Sequence, residues 1–289
     1  MKRILFFLIG LMAGADVYAA STIDTTNRYA YSANAGWLDA RADGTNGAVI
    51  GEYVCSGYVY GANIGWISLG GGSPTNGIYY SNSSANDWGV NNVGGGQLRG
   101  YAYGANIGWL NFETNGSPAF NRLNGQMSGY VWSANIGWVS LSNASAFVQT
   151  DTIAPGADTD GDGIPDAWEL QHATNLTAYT ATSDTDHDGV SDRNEYLAGT
   201  DPQNAADFLH ITVLGPPSGV GTRNVTWASN TNRFYYINAS NTNLISGVWL
   251  DSGIGQQAPD SGTTTMRTVP DAPATSRFFR IQAARPLMP

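Results

Sequence analysis

The sequence predicts a mainly β chain in three parts, and three observations carry that prediction. A phrase of aromatics and small residues recurs four times between residues 20 and 150, two acidic dodecapeptides lie within residues 151–206, and short apolar runs broken by turn residues fill 207–289. The chain holds 36 Gly, 15 Tyr and 9 Trp. Aromatic side chains suit a pleated surface and glycine allows tight reversals, so strands joined by turns are the expected element.

The N-terminus comes first. Lys2 and Arg3 precede the apolar run from Ile4 to Met12, and Val17, Tyr18 and Ala19 form a small-x-small ending. This pattern fits a secretory signal peptide over residues 1–19, cut before Ala20. The run is too short to span a bilayer, so the chain is expected to be exported with no membrane span, either released or held at the cell surface. Cys55 is the single cysteine, so no disulfide can form within the chain.

Residues 20–150 repeat YAYSANAGWLDA from Tyr29, GYVYGANIGWISL from Gly57, GYAYGANIGWLNF from Gly100 and GYVWSANIGWVSL from Gly129. Trp37, Trp66, Trp109 and Trp138 mark the steps, which are 29, 43 and 29 residues, and the long step places an insertion between Gly70 and Gly96. A period of this size indicates one supersecondary unit that buries its apolar side on its neighbours. Each unit reads as a hairpin whose turn contains Ala-Asn, because Asn and Gly tolerate positive φ. A two-residue turn would set Tyr60 opposite Gly65, whereas an odd-length loop would set it opposite Trp66 or Ile64. In either register both faces carry apolar groups, which favours stacking between layers, with the aromatics interlocking the units. Trp88, in the insertion and outside the repeated phrase, is the candidate ligand contact. Cys55 aligns with Leu98 and Met127 and reads as a small core residue.

Residues 151–207 hold thirteen acids against one base, Arg193. Within them Asp158, Asp160, Asp162, Asp166 and Glu169 take positions 1, 3, 5, 9 and 12 of a loop with Gly163 at position 6. Asp184, Asp186, Asp188, Asp192 and Glu195 repeat the pattern around Gly189. A hard cation takes six to eight oxygens, alternate residues of a tight loop point inward, and a distal Glu closes the shell with two oxygens. The backbone carbonyls of Ile164 and Val190 would supply position 7, giving two Ca2+ sites. These two DxDxDGxxDxxE loops, with EYLAGTDP after the second, resemble bacterial thrombospondin type 3 repeats and the related dockerin-like, EF-hand-like calcium modules over about residues 155–203. The resemblance implies a calcium-stiffened extracellular spacer. Pro155 and Gly156 stand where an entering helix would be, and a helix is expected after each loop, with Pro165 at its first position in one case and Gly199 as a stop in the other. Trp168, Leu170, Tyr196 and Leu197 are expected to pack these helices together.

From 207 onward, runs such as FLHITVL, RNVTWAS, RFYYINAS and RFFRIQA predict six or seven short strands and a β-sandwich of immunoglobulin-like or fibronectin-like size. Trp227 and Trp249 read as its core. The stretch also resembles the small β-sandwich that ends many large secreted bacterial proteins.

These readings favour a secreted or cell-surface, non-catalytic, calcium-binding modular protein with a structural or adhesive role. A polysaccharide or an extracellular matrix or surface component is the expected partner. The alternatives are a carbohydrate-binding module using the repeated Trp and Tyr, and a glycan-acting hydrolase using acids such as Asp87 and Glu113. No catalytic constellation is predicted, since no His lies between residues 20 and 150 and His172, His187 and His210 are scattered. Nucleic acid is not an expected partner: the only lysine is Lys2 and no basic patch exists.

Overall fold

The computed structural model describes residues 21–217, 221–240, 248–271 and 277–287. The apolar leader over residues 1–19 lies outside the described residues. The repeats form four antiparallel hairpins: Ile23–Ser32 with Gly36–Asp39, Cys55–Gly61 with Gly65–Gly71, Leu98–Gly104 with Gly108–Asn111, and Tyr130–Ser133 with Gly137–Ser140. Each hairpin's second strand pairs with the next hairpin's first, through Leu38 with Gly61, Ile67 with Gly104 and Leu110 with Ser133. Val139 then pairs with Ser32, which closes the eight strands into a ring. Val49–Ile50, Val90–Asn92 and Val148–Thr150 add short strands at its edge. Closure removes the free edges that an open sheet would expose.

The turn is a three-residue loop, so Tyr60 faces Trp66 and Gly61 faces Gly65. The same register sets Tyr31 opposite Trp37, Tyr103 opposite Trp109 and Trp132 opposite Trp138. The glycine before each tryptophan, Gly36, Gly65, Gly108 and Gly137, takes a positive φ of 70° to 80°, which closes the loop at a position where a β-carbon would be strained. Asn is used differently from the sequence expectation, through its side chain. Asn63 Nδ2 donates to Ala35 O at 3.1 Å, Asn106 to Ile64 O at 3.1 Å, Asn135 to Ile107 O at 2.9 Å and Asn34 to Ile136 O at 3.2 Å. Four amides thus tie the four turns head to tail around one end of the barrel.

An eight-stranded barrel has an interior just wide enough for side chains to fill. Ala35, Ile64, Ile107 and Ile136 plug the turn end, Leu38, Ile67, Leu110 and Val139 form the layer below, and Cys55, Leu98 and Met127 lie deeper, all buried in one cluster. Burial pushes the Cys55 thiol up to about 12, which leaves it an inert core residue as expected. With branched aliphatics filling the inside, strand alternation sends every repeated aromatic to the outside. Trp37, Trp66, Trp109 and Trp138 are 45% to 48% exposed. The expected burial of these rings between layers does not occur. They pack instead on the rings of their own hairpin, with centroids 4.8 Å apart for Tyr60 and Trp66 and 5.0 Å for Trp132 and Trp138.

The C-terminal residues form two three-stranded sheets: Ile211–Leu214, Thr222–Ala228 and Thr264–Pro270 in one, and Phe234–Ser240, Leu250–Asp251 and Phe278–Ala284 in the other. Val225, Trp227 and Val269 from the first and Tyr235 and Ile237 from the second share one buried core. Among the described residues this is six strands, one short of an immunoglobulin constant-type domain. Trp249 is half-buried under the Arg280 guanidinium, 4.7 Å from its ring centre, rather than in that core.

Candidate metal centre

Each acidic loop leads directly into a short helix, α1 at Asp166–His172 and α2 at Asp192–Ala198. Pro165 caps α1 from outside, one residue earlier than expected, and Gly199 ends α2 with a φ of 76° as expected. The core between them is Ile164, Trp168, Tyr179 and Tyr196, with Tyr53 of the barrel packed against it. Trp168 and Tyr196 pack as predicted, their centroids 5.8 Å apart. Leu170 and Leu197 do not. Leu170 lies against Gly77 of the barrel insertion, where a β-carbon would come within 2.4 Å of Leu170 Cδ1, and Leu197 is exposed.

Asp158, Asp160 and Asp162 bring their carboxylates together in the first loop, and Asp184, Asp186 and Asp188 do so in the second, within 4.8 Å of one another in each case. The loops hold this shape with their own amides. Asp158 accepts from Gly161 N at 2.9 Å and Gly163 N at 3.0 Å, and Asp184 accepts from Gly189 N at 3.0 Å. Asp162 and Asp188 accept from the N–H of Ile164 and Val190, at 2.9 and 2.7 Å. Those two hydrogen bonds hold the N–H of the position-7 residues, whose carbonyls the sequence assigned to the cation.

The position-12 glutamates lie outside the two aspartate triplets. Glu169 and Glu195 are fully buried, with both Glu169 oxygens and Glu195 Oε2 lacking any hydrogen-bond partner. Buried oxygens of Asp162, Asp184, Asp186 and Asp188 are likewise unpartnered. A native fold rarely leaves so many carboxylate oxygens unsatisfied, and the donor set is all oxygen, so these residues fit a hard divalent cation. The electrostatics agree. Burial first, and the neighbouring Asp160 next, push Glu169 up to about 7, while burial and then Asp186 push Glu195 up to about 8. Unneutralised, these sites resist ionising.

The position-9 aspartates behave differently. Asp166 accepts from Thr159 N at 2.7 Å and Thr159 Oγ1 at 2.5 Å. Asp192 accepts from Thr185 N at 3.0 Å and from the hydroxyls of Thr185 and Ser183 at 2.8 and 2.6 Å. Neither joins its aspartate triplet. Both brace the loop onto the start of its helix, where a water could relay them to a cation, as position 9 often does.

The wider surroundings were not legible in the sequence. Tyr196 on α2 donates through its hydroxyl to Glu52 Oε2 at 2.7 Å, and Arg285 Nη1 reaches the same oxygen at 3.1 Å. Arg233 donates to Tyr196 O at 2.7 Å and Leu197 O at 2.9 Å, and Asn230 Nδ2 to Gly199 O at 2.6 Å. The second acidic loop thus leads into a helix that reaches the barrel through the Tyr196 hydroxyl and receives the C-terminal sheets on the carbonyls at its end. Residues from all three parts line a cavity of about 470 Å³ at this junction.

The acids considered for hydrolysis have other employment. Asp87 is pulled down to about 2 by hydrogen bonds, chiefly from Ser81 and also from Thr75, and it closes the insertion loop. Glu113 Oε1 accepts from Gly100 N at 2.9 Å. Trp88 is half-buried, edge-on to Trp109 at 5.2 Å, so the insertion adds one ring beside the third hairpin's exposed aromatics.

A family model described as the bacterial TSP3 repeat matches residues 158–175 and 184–205, in agreement with the resemblance carried by the two loops. These repeats are non-enzymatic calcium-binding modules, typically extracellular. No curated protein and no solved structure matches the chain. Among the described residues no helix is long and apolar enough to cross a membrane.

Proposed function

We propose that this is an exported, non-catalytic adhesive protein in which two calcium ions hold a rigid joint between the aromatic barrel and the C-terminal sheets. The observation that carries this reading is the placement of α2. Its first residue, Asp192, and its Glu195 belong to the second loop, its Tyr196 hydroxyl binds Glu52, and its C-terminal carbonyls accept from Arg233 and Asn230. Neutralising the loop orders the helix, and the helix orders both contacts.

Asp158, Asp160, Asp162 and Glu169 would hold one ion, with the Ile164 carbonyl. Asp184, Asp186, Asp188 and Glu195 would hold the other, with the Val190 carbonyl. The bound ions supply positive charge that relieves repulsion within each loop. Extracellular sites of this kind bind with dissociation constants on the order of 0.1 to 1 mM, which suits a calcium-rich exterior.

Limited proteolysis of the full chain in CaCl2 and in EGTA tests the joint. Calcium should protect residues 151–206 and keep the barrel and C-terminal sheets in one fragment. Equal cleavage under both conditions would refute the proposal.

A further inference from the structure

The four hairpins are near copies, so differences among their outer faces are informative. The first face carries Arg28 bridged to Asp39 at 3.2 Å, and the third has Trp88 of the insertion packed edge-on against Trp109, which itself stays exposed. The fourth differs twice. Trp132 stands where the other three have Tyr31, Tyr60 and Tyr103, and a cavity of about 330 Å³ forms beside it, lined by Trp132, Trp138, Asn111, Glu113, Asn115 and Gly116. We propose that this cavity is a subsite for a neutral polysaccharide, which rests on the reading of the protein as adhesive.

The walls are built from the sequence upward. A single 3-10 turn, Thr114–Gly116, follows the third hairpin and lies against the fourth. Gly116 makes the approach possible, because a β-carbon there would stand 1.8 Å from Tyr130 O and 3.1 Å from Trp138 Cζ3. The polar wall is fixed by its own hydrogen bonds: Glu113 N donates to Asn111 Oδ1 at 2.5 Å, while Glu113 Oε1 holds Gly100 N. The floor consists of two indoles at 63° to one another, 42% and 45% exposed.

This combination suits a pyranose ring. Its C–H face covers an indole, and its hydroxyls pair with the other Glu113 carboxylate oxygen, the Asn111 amino group and the Asn115 amide. The cavity lies within the usual size range of small-ligand sites. Glu113 gives the wall a negative charge, which disfavours uronates and sulfated chains. A quaternary ammonium would use the indoles and Glu113 but leave Asn111 and Asn115 without a role.

The test is affinity electrophoresis of the full calcium-loaded chain through gels containing hydroxyethylcellulose, xylan or galactomannan. At least one of these should retard the protein. Trp132→Ala should weaken that retardation on the order of tenfold or more, because a stacked aromatic anchor carries much of such an affinity, and Asn115→Ala should weaken it by a smaller factor. Trp66→Ala, on the open second hairpin, should leave it unchanged. All three side chains are partly or fully exposed, and melting curves check that the variants fold. No retardation in any gel, equal losses in Trp66→Ala and Trp132→Ala, or binding to choline with none of the polysaccharides would overturn the proposal. Retardation that survives EGTA, in a chain whose proteolysis ignores calcium, would remove the calcium joint and leave the subsite standing.

Discussion

Replacing Glu169 by Gln separates the electrostatic cost of the empty loop from its benefit when filled. Glu169 is buried, has no hydrogen-bond partner on either oxygen, and is raised from 4.5 to about 7 by burial and by the loop aspartates. A carboxyl whose folded pKa is raised contributes stability that is fully present below its unfolded pKa and is lost as pH rises through the folded value. Without calcium, the wild-type joint should therefore weaken between about pH 4.5 and 7. A shift of this size corresponds to at most roughly 3 kcal/mol, and to about 1–2 kcal/mol once water penetration into a surface loop is allowed for. Glutamine is neutral at every pH and keeps the shape. In EGTA at pH 8, Glu169→Gln should thus be more stable than wild type by about 1–2 kcal/mol, with little difference at pH 4.5. In millimolar calcium the order should invert, because the variant loses a charged bidentate ligand and the linked stabilisation that comes with it. Thermal melts at two pH values, with and without calcium, read all four states. Destabilisation of Glu169→Gln in EGTA at pH 8, or equal calcium stabilisation of both proteins, would refute the reasoning.

Two further substitutions probe the scaffold. Asn135→Ala removes the amide that caps Ile107 O and should cost about 1–2 kcal/mol in urea unfolding followed by tryptophan emission. Asn135→Asp should cost more, since a carboxylate would face that carbonyl, and a neutral result for both would mean that the turn ring carries no stability. Tyr196→Phe leaves Glu52 with Arg285 alone, should destabilise by about 1 kcal/mol, and should increase cleavage between barrel and helix in calcium, whereas unchanged proteolysis would place the joint elsewhere.

The two acidic repeats were readable from sequence because their pattern is local: alternate aspartates and a glycine at the bend bring each aspartate triplet together. Helix ends followed to within a residue, from Pro165 and Gly199. The barrel was readable only as repeated hairpins. Its register depended on one loop residue, and its closure on pairing between Ser32 and Val139, more than a hundred positions apart in the sequence. The orientation of the aromatics was misread for a physical reason. Large rings are ordinarily the buried face of a strand, but an eight-stranded barrel is too narrow for four tryptophans and takes Ile, Leu, Val and Ala instead. Small inward residues such as Ala30 and Ala102 looked featureless beside the Tyr and Trp flanking them. Glu52 was visible only as one of a few scattered acids, because its partners Tyr196 and Arg285 lie 144 and 233 residues away in the chain.

Counting the bound ions addresses the central claim most directly. Equilibrium dialysis of the chelator-treated full chain against a calcium series should approach two ions per chain, and Asp160→Asn and Asp186→Asn should each remove about one. Saturation below one ion per chain, or a stoichiometry indifferent to both substitutions, would contradict the assignment of the two loops as the metal sites that lock the joint.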